Sequence, residues 1–147
     1  MMEHFTVHLV SWHDAEPLLR AVREEVFMSE QGVSAELEWD GMDDICHHVL
    51  ALNKHGEAIG CGRITPHDTT HAHIGRMAVL PDWRGKQVGS AILEALLEYA
   101  YSRHYSLVEL NAQTHAAPFY RRFGFVALGE EFMDAEMPHI RMQLHLE

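Results

Sequence analysis

The sequence is poor in cysteine and in long apolar runs, and each shortage excludes a class of protein. Two cysteines among 147 residues, Cys46 and Cys61, are too few for a disulfide framework and lack zinc-site spacing. No apolar run approaches the roughly 18 residues that a membrane-spanning helix needs. The first residues are neither basic nor apolar enough for a signal peptide. We therefore expect a cytoplasmic chain that is not attached to a membrane.

Basic residues are also scarce. Eleven Lys and Arg stand against 22 Asp and Glu, which gives a net charge of −11. This balance argues against nucleic-acid binding, because such binding requires a basic face. An acidic chain can attract a small cationic substrate, although a solvated acidic surface is the simpler explanation.

Histidine, in contrast, is abundant, with 13 residues. Neighbouring His47 and His48 would point to opposite faces of a strand. His71 and His73 would share a face, but no third ligand of convincing spacing accompanies them. We therefore expect no bound metal.

Apolar periodicity predicts the order of elements. The pattern is strand, helix, short helical loop, three strands, helix, strand, short helix and two strands. A helix of crossover length separates the fourth strand, 72–80, from the fifth, 107–112, so these strands should be parallel. The length of 147 residues suits one domain, 1–147, which we predict to be an α/β domain on a mixed sheet of about seven strands.

Local signals add detail to that order. Asp14 suits the N-cap of the first helix. Gly60 and Gly62 in the third strand indicate a bulge or a close backbone approach. Segment 34–44 is predicted to be an acidic loop with one helical turn, and segment 129–138 a loop before the last strand.

The stretch 74–90 joins an apolar strand to a basic, Gly-containing turn and then to a helix. The first N–H groups of that helix lack intrahelical partners, and the helix dipole adds partial positive charge there. The stretch therefore predicts an anion-binding site at a helix N-terminus.

Four segments resemble the GNAT superfamily of acyl-coenzyme A-dependent N-acetyltransferases, and within it the YjcF/ElaA-like subgroup. They are VREEVFMSEQGV at 22–33, IGRMAVLPDWRGKQVG at 74–89, LNAQTHAAPFYRRFGF at 110–125 and EFMDAEMPHIRM at 131–142. The resemblance covers nearly the whole chain. It implies the GNAT fold, with the fourth and fifth strands splayed at their C-terminal ends, and acetyl-CoA as co-substrate without a metal.

The same resemblance implies where coenzyme A binds. Residues 84–89 match the family's pyrophosphate turn, and the pantetheine arm would lie along the fourth strand in the wedge. Gln87 departs from the pattern, because the family places Gly there; its side chain must point away or its backbone must avoid positive φ. The implied cofactor residues are Met77, Ala78, Val79, Arg84, Gly85, Lys86, Gln87, Val88, Gly89, Ser90 and Asn111.

The resemblance also implies catalytic roles. Tyr120 matches the general acid that protonates the departing thiolate. A general base is needed to deprotonate the amine, and His73 occupies a position used by relatives, on a face expected to include Met77 and Val79. His115 and His139 compete with it for this role. The predicted acceptor-side residues are Glu30, Gln31, Gln113, His115 and His139.

These expectations lead to one predicted reaction and one alternative function. The chain would move an acetyl group from acetyl-CoA to a primary amine by direct attack in a ternary complex. The acceptor would be a small molecule or a lysine side chain, and the carboxylates of segment 34–44 would attract it or merely be solvated. The alternative is a non-catalytic acyl-CoA-binding sensor or partner module on the same fold. An edge-strand homodimer is compatible with either function.

Overall fold

A seven-stranded mixed sheet organises residues 4–146, the part of the chain that this computed structural model describes. The strands are β1 (Phe5–Val10), β2 (His47–Asn53), β3 (Ala58–Pro66), β4 (His71–Val79), β5 (Leu107–Gln113), β6 (Val126–Asp134) and β7 (Met137–His145). Their spatial order is β1-β2-β3-β4-β5-β7-β6. Between β4 and β5 the pairing is parallel, and the other neighbours are antiparallel. The predicted mixed sheet and its parallel pair are confirmed.

Helices connect the strands. They are α1 (Trp12–Arg23), a π-helical segment (Glu24–Glu30), α2 (Ala35–Glu38), α3 (Val88–Ser102) and α4 (Ala117–Arg121). Ser11, rather than Asp14, caps α1, because the Asp14 N–H donates to Ser11 Oγ over 3.1 Å. The predicted cap was three residues late, since Asp14 lies inside the first turn. No helix within 4–146 is long and apolar enough to cross a bilayer.

Apolar clusters cover both faces of the sheet. On one face α3 buries Ile92 and Leu96, which recur at helical spacing. On the other face α1 buries Leu19 and Val22 against β2, β3 and β4. Burial of these side chains supplies most of the driving force that holds the helices on the sheet.

The glycines of β3 allow α3 to approach closely. A Cβ added at Gly60 would lie 2.9 Å from Ile92 Cδ1. A Cβ added at Gly62 would lie 2.7 Å from Met77 Sδ and 2.9 Å from Leu96 Cδ1. The predicted close approach is confirmed, and α3 is its main partner.

A β-bulge interrupts β4. Cys61 pairs with Ala78 and Arg63 pairs with Gly75, so two steps along β3 match three steps along β4. The extra residue lies next to Arg76, whose φ is +52°. Such a bulge twists the strand and redirects the side chains that follow it.

The bulge reverses the alternation of side chains in β4. Before it, Ala72 and Ile74 pack in the α3 cluster; after it, Met77 and Val79 pack there instead. The prediction that His73 shares a face with Met77 and Val79 is therefore wrong, because one inserted residue shifts the two-residue period by one.

The segment 129–138, predicted to be a loop, is mostly a hairpin. β6 continues to Asp134, and β7 begins at Met137. The two turn residues, Ala135 and Glu136, have φ values of +49° and +62°, as a tight two-residue hairpin requires. The prediction was wrong because the sequence Ala-Glu lacks the Gly or Asn that usually indicates such a turn.

The parallel pairing between β4 and β5 is short. It comprises three residue pairs, which join His71–His73 to Leu107–Glu109. Beyond His73 the two strands separate, and the expected splay at their C-terminal ends is confirmed. The gap between them is where a ligand can enter the sheet.

Gly62→Ala should lower the free energy of unfolding by about 1–3 kcal/mol, because the added methyl group overpacks the contact with Met77 and Leu96. Urea unfolding followed by circular dichroism measures this change. Gly75→Ala is the matched control, since its Cβ would meet only His73 Cδ2, at 3.9 Å. Equal stability of the two variants would contradict the close approach.

Candidate active site

The splayed strands open into a cavity of about 1010 Å³. Its walls come from β4, β5, the π-helical segment, α4 and the β6–β7 hairpin. Most of the residues singled out in the sequence meet here. Those that line it are Glu30, Gln31, His73, Met77, Ala78, Val79, Arg84, Gly89, Asn111, Gln113, His115, Tyr120 and His139.

A second hollow of about 250 Å³ lies over the turn before α3. The predicted turn residues that line it are Arg84, Gly85, Gln87, Val88, Gly89 and Ser90. It shares Val79, Arg84, Gly89 and Phe119 with the larger cavity, so the two hollows adjoin. Lys86 lies outside both linings, with Nζ 5.4 Å from the centre of a Trp83 ring.

The start of α3 presents backbone donors to this smaller hollow. The first hydrogen bond of the helix joins the Ala91 N–H to the Gln87 carbonyl over 3.1 Å. The N–H groups of Val88, Gly89 and Ser90 precede this ladder, and no side chain within 4–146 caps them. These donors and the helix dipole together favour an anion.

Gln87 adopts the left-handed conformation that the family reserves for Gly. Its φ is +69° and its ψ is +13°, and Gly85 has a φ of +75°. The alternative that the Gln87 backbone avoids positive φ is therefore wrong. The turn shape is thus kept at the expense of local strain in Gln87.

Arg84 joins the turn to the π-helical segment. Its Nη atoms donate to both carboxylate oxygens of Glu30 over 2.7 and 2.6 Å, and its Nε donates to the Val79 carbonyl over 2.9 Å. The hydrogen bond from Arg84 lowers the pKa of Glu30. A predicted cofactor residue and a predicted acceptor residue are therefore partners across the cavity.

Tyr120 is buried in α4 with its hydroxyl at the cavity. Its ring packs edge-on against Phe119 and Phe125, with centroids 5.0 and 5.9 Å away. The hydroxyl has no hydrogen-bond partner among residues 4–146. Its oxygen is not fully buried, and Tyr120 lines the cavity, so the hydroxyl is accessible from there. Burial raises the pKa of the Tyr120 phenol, which keeps it protonated at neutral pH.

His73 lies at the last pair between β4 and β5, opposite Glu109. Burial lowers the pKa of His73, and the Glu109 carboxylate opposes that shift. The ring is therefore neutral at neutral pH. Within residues 4–146 it makes no hydrogen bond that would select one ring nitrogen as the proton carrier.

The predicted acceptor-side residues other than Glu30 lie in two places. Gln113 Nε2 donates to Gln31 Oε1 over 3.0 Å, and Gln113 Oε1 lies 2.8 Å from His115 Nε2. His139 is buried, with Nδ1 2.8 Å from the Met137 carbonyl oxygen. Asn111, from the cofactor set, is exposed on the same strand as Gln113.

A closed ring of ion pairs lies at the cavity wall that Glu38, Asp40 and Arg76 line, and sequence reasoning missed it. It alternates arginines with carboxylates in the order Arg23, Glu38, Arg76, Asp40, Arg63 and Asp43. Arg23, Glu38, Asp43 and Arg63 are buried. The ring joins α1, the segment after α2, β3 and the bulge of β4.

The distances around the ring are those of direct ion pairs. Arg23 lies 2.7 Å from Glu38 and 2.6 Å from Asp43, and Asp43 lies 2.9 Å from Arg63. Arg76 Nε lies 3.1 Å from Glu38 Oε2 without hydrogen-bond geometry. The guanidinium of Arg23 also lies over Trp39, 4.8 Å from the ring centre.

The ring corrects the interpretation of segment 34–44. Glu38, Asp40 and Asp43 are not unpaired solvated carboxylates, because each forms ion pairs with two arginines of the ring. The available signal was an arginine inside an apolar pattern, at Arg23 in α1 and Arg63 in β3. A buried arginine requires a carboxylate partner.

Comparison with known proteins settles the family. The model of the GNAT acetyltransferase domain matches residues 16–146. The chain belongs to the GNAT acetyltransferases. This GNAT chain is 41% identical over 123 residues to the uncharacterized N-acetyltransferase YjcF of Bacillus subtilis. The matched region covers 82% of this chain and 86% of YjcF. It is an acetyl-CoA-dependent acyltransferase.

Solved structures share the GNAT fold. Escherichia coli ElaA is 28% identical, with a TM-score of 0.82 over 97% of this chain and 99% of ElaA. The predicted YjcF/ElaA-like subgroup is confirmed. An acetyltransferase from Elizabethkingia anophelis, solved with acetyl-CoA bound, is 19% identical and has a TM-score of 0.72 over 97% of this chain and 98% of its own.

Gln87→Gly should raise the free energy of unfolding of the GNAT chain by about 0.5–1 kcal/mol, because glycine adopts positive φ without the Cβ clash. Thermal or urea unfolding measures the gain. Ala91→Gly, in the same helix at ordinary φ, should instead lower stability by about 1 kcal/mol. A loss in both variants would contradict the left-handed backbone at Gln87.

Asp40→Asn should lower stability near pH 7 by about 1 kcal/mol, after allowance for partial exposure. Burial raises the pKa of Asp40, but the hydrogen bond from Arg63 and its other partners bring it to about 2. A depressed carboxyl pKa stabilises the fold above the unfolded pKa. The stabilisation should therefore disappear as the pH falls from about 5 towards 2.

Urea unfolding at a series of pH values measures the difference between wild type and Asp40→Asn. Asp44→Asn, at an exposed neighbouring carboxylate, is the matched control. If the two variants followed the same pH curve, the ring would not stabilise ionised Asp40.

Proposed function

We propose that the chain transfers the acetyl group of acetyl-CoA to a primary amine by direct attack in a ternary complex. The observation that carries this proposal is the adjacency of the two hollows. Together they extend from the N-terminus of α3, along the open edge of β4, to Tyr120. Such a space suits a long ligand with an anionic end and a reactive end.

The anionic end would lie on the turn. The N–H groups of Val88, Gly89 and Ser90 would donate to the pyrophosphate, and the open edge of β4 would hold the pantetheine by strand-like pairing. Arg84 already occupies the Val79 carbonyl, so the pairing would centre on Met77 and Ala78. The likeness to the Elizabethkingia structure, which holds acetyl-CoA on this fold, supports this placement.

The reactive end would lie beside Tyr120. A neutral amine attacks the thioester carbonyl, and the carbon–sulfur bond breaks as the thiolate leaves. The buried phenol is protonated at neutral pH and can give its proton to that thiolate. Cys61 offers no covalent alternative, because burial raises the pKa of its thiol to about 12.

Tyr120→Phe should lower kcat about 100-fold and leave the dissociation constant of acetyl-CoA within about twofold, because only the transition state uses the proton. Release of the coenzyme A thiol across a panel of primary amines measures turnover, and calorimetry measures binding. Tyr101→Phe, which removes an exposed hydroxyl from α3, is the control.

Normal turnover by Tyr120→Phe would contradict the general-acid assignment. Binding of acetyl-CoA without transfer to any amine of the panel would instead favour the rival function, a non-catalytic acyl-CoA sensor.

A further inference from the structure

We propose that the acceptor amine docks at the β6–β7 hairpin, where Asp134 holds its ammonium form and His139 Nε2 removes its proton. This inference rests on the proposed transfer to a primary amine. It assigns the amine site and the general base to one wall of the cavity, across from the open edge of β4.

Hydrogen bonding selects the tautomer of His139. A carbonyl oxygen only accepts, so the 2.8 Å contact between Nδ1 and the Met137 carbonyl means that Nδ1 carries the proton. In the neutral ring, Nε2 is then the lone-pair nitrogen. His73 has no hydrogen-bond partner within 4–146 that would select a tautomer, and the Nε2 of His115 is already hydrogen-bonded to Gln113.

The lone pair of His139 is open to the cavity. The residue lines it and is 7% exposed. His139 Nε2 makes no hydrogen bond within residues 4–146. It is also not fully buried, because Arg76 Nε is the one unpartnered side-chain nitrogen or oxygen in that range that is. Nε2 is therefore accessible. Phe132 stacks on the ring with centroids 5.9 Å apart and holds its plane.

Asp134 differs from the other carboxylates of the cavity. Glu30 pairs with Arg84, while Glu38 and Asp40 belong to the arginine ring. Asp134 also lines the cavity, and it has no cationic partner among residues 4–146. It is the negative charge that remains available to an incoming ammonium group.

Strand register places the two groups on one face of the hairpin. Asp134 pairs with Met137, and Phe132 pairs with His139. Alternate residues of a strand share a face, and directly paired residues share it across strands. Asp134 and His139 therefore form a diagonal pair on the face that borders the cavity.

The proton steps balance across these groups. The ammonium bound at Asp134 loses one proton to His139 Nε2, and the nitrogen lone pair then forms the new N–C bond. When the C–S bond breaks, Tyr120 protonates the thiolate and takes the second proton from the nitrogen. His139 finally returns its proton to solvent, which leaves the amide, the free thiol and one released proton.

Steady-state kinetics with an amine accepted by wild type tests both roles. His139→Asn should lower kcat about 100-fold or more with little change in the amine KM. Asp134→Asn should raise the amine KM about fivefold with kcat nearly unchanged. His145→Asn on β7 and Glu136→Gln in the hairpin turn, both exposed, should match wild type.

A change of acceptor separates a catalytic role from a structural one. An analogue with three fluorines on the carbon β to the nitrogen is almost entirely neutral at pH 7.5, so no proton has to be removed before it attacks. It should recover most of the rate lost in His139→Asn. A defect of equal size with both acceptors would overturn the assignment of His139.

Nuclear magnetic resonance tests the amine site without turnover. With ¹⁵N-labelled histidine and n-pentylammonium as the probe, the full chain should show His139 protonated at Nδ1. The probe should shift its Nε2 resonance in wild type but not in Asp134→Asn. A shift confined to His73 or His115 would overturn the docking site.

If wild type acetylated no amine of the panel, both the proposed function and the role of His139 as general base would be wrong. The resonance measurement would still decide whether ammonium groups bind at the hairpin.

Discussion

The cavity wall formed by Leu37, Glu38, Asp40 and Arg76 depends on the ring of three arginines and three carboxylates. The chain between α1 and β2 has few apolar anchors, and its helical pieces are short. Charged groups inside a protein stabilise it only when their partners are correctly placed, and an unpaired member is costly. The ring therefore allows this segment one position against α1 and β3. The position of this segment in turn fixes the cavity wall near Leu37 and Asp40.

The bulge of β4 connects the ring to the cofactor side. Arg76 reaches the carboxylates because the strand is kinked where it stands, at a φ of +52°. The same kink turns Met77 and Val79 towards α3, while β5 diverges after three pairs. One inserted residue thus helps to define both the cavity wall at the arginine ring and the open edge of β4.

Prediction from the sequence succeeded where a signal lies within a few residues. The strand, turn and helix at 74–90, the parallel pair and the glycines of β3 all depend on local pattern or crossover length. The bulge and the hairpin turn at Ala135 leave no such pattern, since a single extra residue inside an apolar run resembles ordinary strand. The ring joins residues far apart in sequence, such as Arg63 and Asp43, and complementary charges alone do not reveal which of them meet.

The short pairing of β4 with β5 has an evolutionary consequence. The pairing of β4 with β5 ends at His73, and side chains such as Gln31 and Gln113 line the wedge beyond it. Side chains change by point mutation, whereas a ladder changes only by rebuilding the sheet. Point mutations can therefore reshape this wedge while the scaffold that carries the chemistry stays the same.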